Sequence, residues 1–220
     1  VVWLTWQDVV QFTPALVAGA GHTLQFTLLA FALALAGGLL IAVLRISGRQ
    51  PFVGAAVALI EIVRGTPMIV QLYFLYFALP DLGVALSSFQ AGVLGLAINY
   101  AVDCAEVYRG GIESVERGQI EAARSLGMSY TQTLRHVTLP QAVRVAIPPL
   151  TNGFNGMLKD SSLVSTIAAV ELTKVAMELS SATFRNFPIF TLSALIYLSL
   201  SYPLAHLARG LERRLGRAWR

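Results

Sequence analysis

Asn99, Asp103 and Glu106 stand four and three residues apart, the spacing that puts side chains on one face of a helix. The run around them, 89–108, is otherwise largely apolar. Ionisable groups at bilayer depth cost about 2.5–3.5 kcal/mol on insertion scales and point to function by default. A face of this kind, about 10 Å long, suits a polar solute. Glu106, near the end of the run, fits a snorkelling or helix-pairing carboxylate equally well. Asp103 lies deeper, where it can meet a substrate cation or pair with Lys159 or Arg64. A second group is Lys159-Asp160-Ser161-Ser162, which follows Gly153 and Gly156. A cation, a carboxylate and two hydroxyls match both ends of a zwitterion; a solvated charge pair in a loop is the plainer reading. Third, Thr66-Pro67 interrupts an apolar run. Such a break exposes backbone groups to a ligand in discontinuous transporter helices, or simply kinks the helix for packing. Glu61 and Arg64 are spaced for a local ion pair.

This chemistry is binding, not catalysis. The two lysines, Lys159 and Lys174, do not follow a glycine, so there is no phosphate-binding loop. Neither HExxH nor GxSxG occurs. His22, His136 and His206 are far apart and Cys104 is alone, so neither a metal motif nor an intrachain disulfide is expected. The chain reads as no enzyme, with no cofactor and no metal of its own.

The elements that must position these residues are membrane helices. The 220 residues are 55% hydrophobic and 13% charged, about half the charge of a soluble domain. Five apolar runs approach the roughly 20 residues needed to cross a bilayer: about 22–44, 52–79, 89–108, 141–158 and 187–208. Pro67 and Pro148-Pro149 are expected to kink or break the second and fourth. Five crossings place eleven basic residues on one side, in 45–49, 109–135 and 209–220. They leave only Lys159, Lys174 and Arg185 on the other. The positive-inside rule then puts the N-terminus outside and the C-terminus in the cytoplasm. Ala30, Ala34, Gly38 and Ala42 form a small-residue stripe for close helix packing. No cleavable signal peptide is evident. Residues 163–186 lie outside in this topology. There Glu171, Lys174 and Glu178 fall on one face, either a surface helix or a contact for an external binding protein.

The loop 109–140 is then cytoplasmic. Its composition predicts a helix over Gln119–Leu126 with Glu121 in the first turn, where the dipole favours an anion. Gly127 is the expected stop. Ser129 and Gln132 form a capping-box pattern for a second short helix, and Pro140 opens the next span. An ordered helix pair, with Ala122 and Ala123 forming a compact surface, fits a groove on a partner protein. It also fits an amphipathic connector lying on the membrane.

Glu121-Ala122-Ala123, three residues, Gly127, nine residues, then Val137-x-Leu139-Pro140 resembles the coupling motif of binding-protein-dependent ABC importer permeases. Val137 stands where that family usually has Ile. Arg64-Gly65-Thr66-Pro67 with Gln71-Leu72, Asn99-Tyr100-Ala101 with Ala105–Ile112, Leu139–Ala142 and Leu158–Leu163 resemble its polar amino acid branch, which takes up histidine, glutamine, glutamate, arginine or opines. Asp103 departs from the Tyr often found there.

The resemblance implies an all-α membrane protein with five transmembrane helices and the type I (MetI-like) importer permease fold over 15–210. That leaves an N-terminal segment 1–14, the coupling loop 109–140 and a basic tail 211–220. It implies the bacterial inner membrane, a second permease copy or homologue, two ATPase subunits carrying ATP–Mg, and an extracytoplasmic amino-acid-binding protein. No nucleic-acid partner is expected. It assigns substrate binding to Thr66, Asn99, Asp103, Glu106, Lys159, Asp160, Ser161 and Ser162. Coupling to the ATPase falls to Glu121, Ala122, Ala123, Arg124, Leu126 and Gly127. The alternatives are a superfamily permease for another small solute, or a motor-independent transporter or channel.

Overall fold

The computed structural model describes residues 3–216 and contains helices but no strand among them. The five apolar runs correspond to α1 (Trp6–Ile46), the pair α2 (Gln50–Arg64) and α3 (Met68–Tyr73), α4 (Ser88–Glu113), α7 (Leu139–Asp160) and α9 (Asn186–Gly216). Between α4 and α7 lie α5 (Arg117–Ser125) and α6 (Tyr130–Thr133); between α7 and α9 lies α8 (Leu172–Thr183). Among the described residues α1 and α9 are long and apolar enough to cross a membrane. The α2–α3 pair adds a third crossing if taken as one broken span. Helices α4 and α7, with 26 and 22 residues, have the length but are more polar. The outward faces of α1 and α9 carry exposed Leu28, Leu33, Leu40, Leu195 and Leu198, a surface that suits lipid tails.

Three expectations change. The first span does not begin near residue 22: α1 runs from Trp6, through Pro14, about 60 Å at 1.5 Å per residue. Its early turns are held because Phe12, Leu16 and Ala20 bury against Leu172, Ala176, Ile189 and Leu192. Thr5 and Asp8 close a capping box at its start, and Arg185 forms a two-point ion pair with Asp8. Second, Pro148 and Pro149 do not break α7, which continues to Asp160. Third, Pro67 does more than kink. The α2–α3 pair turns through 102° at Gly65–Pro67.

The main core forms where α1 packs on α4. Ala30, Ala34, Gly38 and Ala42 are all buried, as the stripe predicts. A Cβ on Gly38 would lie 2.5 Å from Cys104 Cβ and 2.8 Å from the Ala101 carbonyl oxygen, so only glycine permits this crossing. In lipid, such packing replaces the hydrophobic effect as the main attraction between helices.

At the α8 end, Glu171 does not share an exposed face with Lys174 and Glu178. It is fully buried and caps α8, accepting from the backbone N–H groups of Thr173 at 2.8 Å and Lys174 at 2.7 Å. The Tyr197 hydroxyl donates to it at 2.9 Å, and Thr23 Oγ1 accepts from the N–H of Leu172 at 3.1 Å. This knot joins α1, α8 and α9. Lys174 and Glu178 do pair, at 3.6 Å. Of the basic tail 211–220, residues 217–220 lie outside the described residues.

Candidate functional site: a polar seam and an exposed helical loop

The break after α2 opens a polar seam against α4. Pro67 has no N–H to give the Val63 carbonyl four residues back. Gln71 supplies that bond from its side chain: Nε2 donates to Val63 O at 2.8 Å, Thr66 O at 3.1 Å and Thr66 Oγ1 at 3.0 Å. Thr66 Oγ1 in turn donates to Ile62 O at 2.9 Å. Gln71 Oε1 accepts from Asn99 Nδ2 on α4 at 3.2 Å. One turn further along α4, Asp103 Oδ1 lies 3.0 Å from Arg64 Nη2. Thr66, Gln71, Asn99, Asp103 and Arg64 therefore occupy one continuous strip. Gly95 lets Leu72 approach α4 beside it, since a Cβ there would sit 2.5 Å from Leu72 Cδ2.

The shared face of Asn99, Asp103 and Glu106 is real, but its members serve different partners. Asp103 pairs with Arg64 rather than Lys159, and no ion pair involves Glu61 among the described residues. Glu106 leaves the seam altogether. It pairs with Arg45 at the end of α1 and with Arg109, whose Nε and Nη2 donate at 3.0 and 2.7 Å. Arg109 also reaches Glu113. Glu106 is thus the centre of a cluster that fastens α1 to α4, a role that leaves its carboxylate occupied.

Lys159–Ser162 does not form a single polar group either. Asp160 Oδ2 accepts from the Tyr100 hydroxyl at 2.7 Å. Ser161 is fully buried and donates to Leu158 O at 2.8 Å. Lys159 is exposed and Ser162 half-buried, so these two remain available to a ligand. Tyr100 stands in the Asn99-Tyr100-Ala101 motif, but the sequence alone assigns it no role. A tyrosine inside an apolar run needs a partner for its hydroxyl, and Gly156 makes room for it: a Cβ there would lie 2.9 Å from the Tyr100 hydroxyl oxygen.

In the loop, α5 starts at Arg117, two residues before the expected Gln119, so Glu121 falls in the second turn and no acidic residue occupies the first. The stop is as expected. Gly127 has φ +80°, its N–H donates to Arg124 O at 2.9 Å, and the N–H of Met128 donates to Ala123 O at 3.2 Å. This is the Schellman pattern. Glu121, Ala122, Arg124 and Leu126 are exposed, Leu126 by 83%. Ala123 is buried, on the face of α5 that packs on α6 and the turn after it. It therefore supports the exposed surface from beneath.

The Ser129–Gln132 capping box is present. The helix it opens does not end before Pro140. A π-turn, Leu134–Thr138, joins α6 directly to α7. The N–H of Leu139 bonds to Leu134 O, five residues back, at the point where Pro140 cannot donate.

Comparison with known proteins places this architecture. Residues 34–217 match the family described as binding-protein-dependent transport system inner membrane component. The probable glutamine ABC transporter permease protein GlnM of Bacillus subtilis is 40% identical over 197 residues, covering 88% of this chain and 91% of that protein. The glutamine transport system permease protein GlnP of Escherichia coli is 37% identical, covering 96% and 97%. A crystal structure of an amino acid ABC transporter with histidines is 39% identical at a TM-score of 0.91, covering 96% of this chain and 99% of that one. An inward-facing structure of the MetNI methionine ABC transporter shares the fold at TM-score 0.71 and 19% identity. The chain with this broken second span, small-residue packing of α1 on α4 and exposed, glycine-stopped helix between α4 and α7 belongs to the inner membrane components of binding-protein-dependent transport systems, as an ABC transporter permease subunit.

Proposed function

We propose that this permease imports a polar amino acid, delivered from outside by a solute-binding protein and driven by ATP hydrolysed on separate subunits. The observation that carries the reading is the seam of Thr66, Gln71, Asn99, Asp103 and Arg64. Hydroxyl, amide and charged groups line one strip in an otherwise greasy chain, and Lys159 and Ser162 remain accessible on α7 and just after it. Relatives named for glutamine and for cystine transport support an amino acid as cargo.

In this reading two permease chains associate and each takes one ATPase subunit on α5, with Glu121, Ala122, Arg124 and Leu126 presented to it. The N-terminus lies outside and the C-terminus in the cytoplasm, a reading that the excess of basic residues on one side supports. Closure of the ATPase pair on ATP–Mg pushes the two α5 helices together and opens the seam outward; hydrolysis resets it.

The test is reconstitution of the permease in liposomes with its ATPase subunit and binding protein, followed by uptake of a panel of amino acids. ATP-dependent accumulation of at least one polar amino acid is expected. Uptake that proceeds equally without ATP would sink the importer reading in favour of a motor-independent transporter.

A further inference from the structure

Resting on that amino-acid reading, we propose that Arg64 and Asp103 form a charge filter, so that the permease selects amino acids whose side chains are polar but uncharged. Nη2 of Arg64 lies 3.0 Å from Oδ1 of Asp103, and the two side chains are 49% and 59% exposed. A pair so open to its surroundings adds little to stability. At membrane depth, however, neither charge is tolerable without the other. Arg64 ends α2 just before the break that holds Thr66, and Asp103 lies one turn along α4 from Asn99, which bonds to Gln71, so the pair continues the polar strip of the seam.

The position has a consequence for each class of side chain. A guanidinium or ammonium is drawn to Asp103 but repelled by Arg64 at nearly the same distance. A carboxylate meets the reverse. Neither gains a net attraction unless it first separates the pair. An amide or hydroxyl meets no such opposition. It finds amide and hydroxyl partners along the same strip, where Gln71 and Asn99 already show that amides pair. Removing one member leaves its partner uncompensated, and the filter then favours the opposite charge.

The experiment is equilibrium binding of radiolabelled glutamine, arginine and glutamate to the intact permease–ATPase complex in nanodiscs, without binding protein. The expected wild-type preference for glutamine over either charged amino acid is about tenfold or more. Arg64→Gln should raise the arginine-to-glutamine ratio about tenfold, and Asp103→Asn the glutamate-to-glutamine ratio by a similar factor. The double variant Arg64→Gln/Asp103→Asn keeps the strip neutral and should restore the wild-type ranking, which separates charge from damage to the fold. A wild-type complex that prefers arginine or glutamate overturns the filter, as do single variants whose ratios stay unchanged. If the complex imports amino acids with ATP yet shows such a ranking, only the filter falls. Binding of none of the three overturns the filter as well, and if ATP-driven uptake is also absent the amino-acid reading falls with it.

Discussion

The side-chain amide of Gln141 on α7 donates to the side-chain oxygen of Gln119 on α5 across 2.6 Å, and to the Val137 carbonyl at 2.9 Å. The bond ties the first turns of the exposed helix to the helix that ends at Asp160. Gln141→Leu removes the donor and should cost about 1 kcal/mol, a fall of roughly 2–4 °C in melting temperature. ATP-driven uptake is expected to fall further than this, while ATPase activity persists. Uptake and hydrolysis measured on the same liposomes decide it; unchanged coupling would show that the link is only structural.

Gly111 lets α4 lie against α7: a Cβ there would sit 2.8 Å from the Ala142 carbonyl oxygen. Backbone cannot swing aside as a side chain can. Gly111→Val should therefore destabilise the chain by about 1–3 kcal/mol. Gly110, the residue before it, has open space around it inside α4, so Gly110→Ala should raise stability slightly, by about 0.5–1 kcal/mol. Thermal unfolding of both variants in detergent gives the comparison.

Gly127 holds φ +80°, a region that costs other residues about 1–2 kcal/mol. Gly127→Val should loosen the end of α5 without touching the seam. The expected phenotype is retained substrate binding with uptake uncoupled from hydrolysis. Leu126→Ser removes an exposed side chain; it should weaken co-purification with the ATPase subunit while the melting temperature stays within a degree or two.

Burial pushes the Glu171 carboxyl above its ordinary value, against the pull of the Thr173 and Lys174 N–H groups and the Tyr197 hydroxyl. The folded state then holds its proton to higher pH than the unfolded chain does. Stability from this group is complete below the unfolded value of about 4.3 and declines as pH rises toward the folded value. Glu171→Gln should remove that decline. The melting temperature of the variant, relative to the parent, should rise as pH is raised above about 4.3. A difference that stays flat with pH would mean the carboxyl is not perturbed.

Local rules served well where a single short-range cause dominates. The stripe Ala30–Ala42, the Ser129 capping box and the Gly127 stop all depend on neighbours a few turns apart, and all appear as expected. Pairing across the fold was less legible. Helical spacing puts Asn99, Asp103 and Glu106 on one face, but which cation each meets depends on where α1 and α2 end. Arg45 reaches Glu106 only because α1 packs closely on α4 at Gly38. Glu171 looked like a surface charge because helical spacing ignores caps; its burial follows from Tyr197 and Thr23, which lie far away in sequence. Pro148-Pro149 shows the limit of a propensity argument, since packing held α7 intact.

The π-turn at Leu134–Thr138 leaves α6 and α7 as one unbroken column from Tyr130 to Asp160, roughly 45 Å at 1.5 Å per residue. One end stands beside α5; the other carries Lys159 and meets Tyr100 through Asp160. Were the column to tilt as one body, about 5° at its foot would displace its head by about 4 Å, more than a hydrogen-bond length. Pro140 lacks the N–H that would continue the α-pattern, and the extra residue in the turn keeps the helix hydrogen-bonded through that point, so a movement of the loop would be carried along α7 rather than lost at a break in the chain.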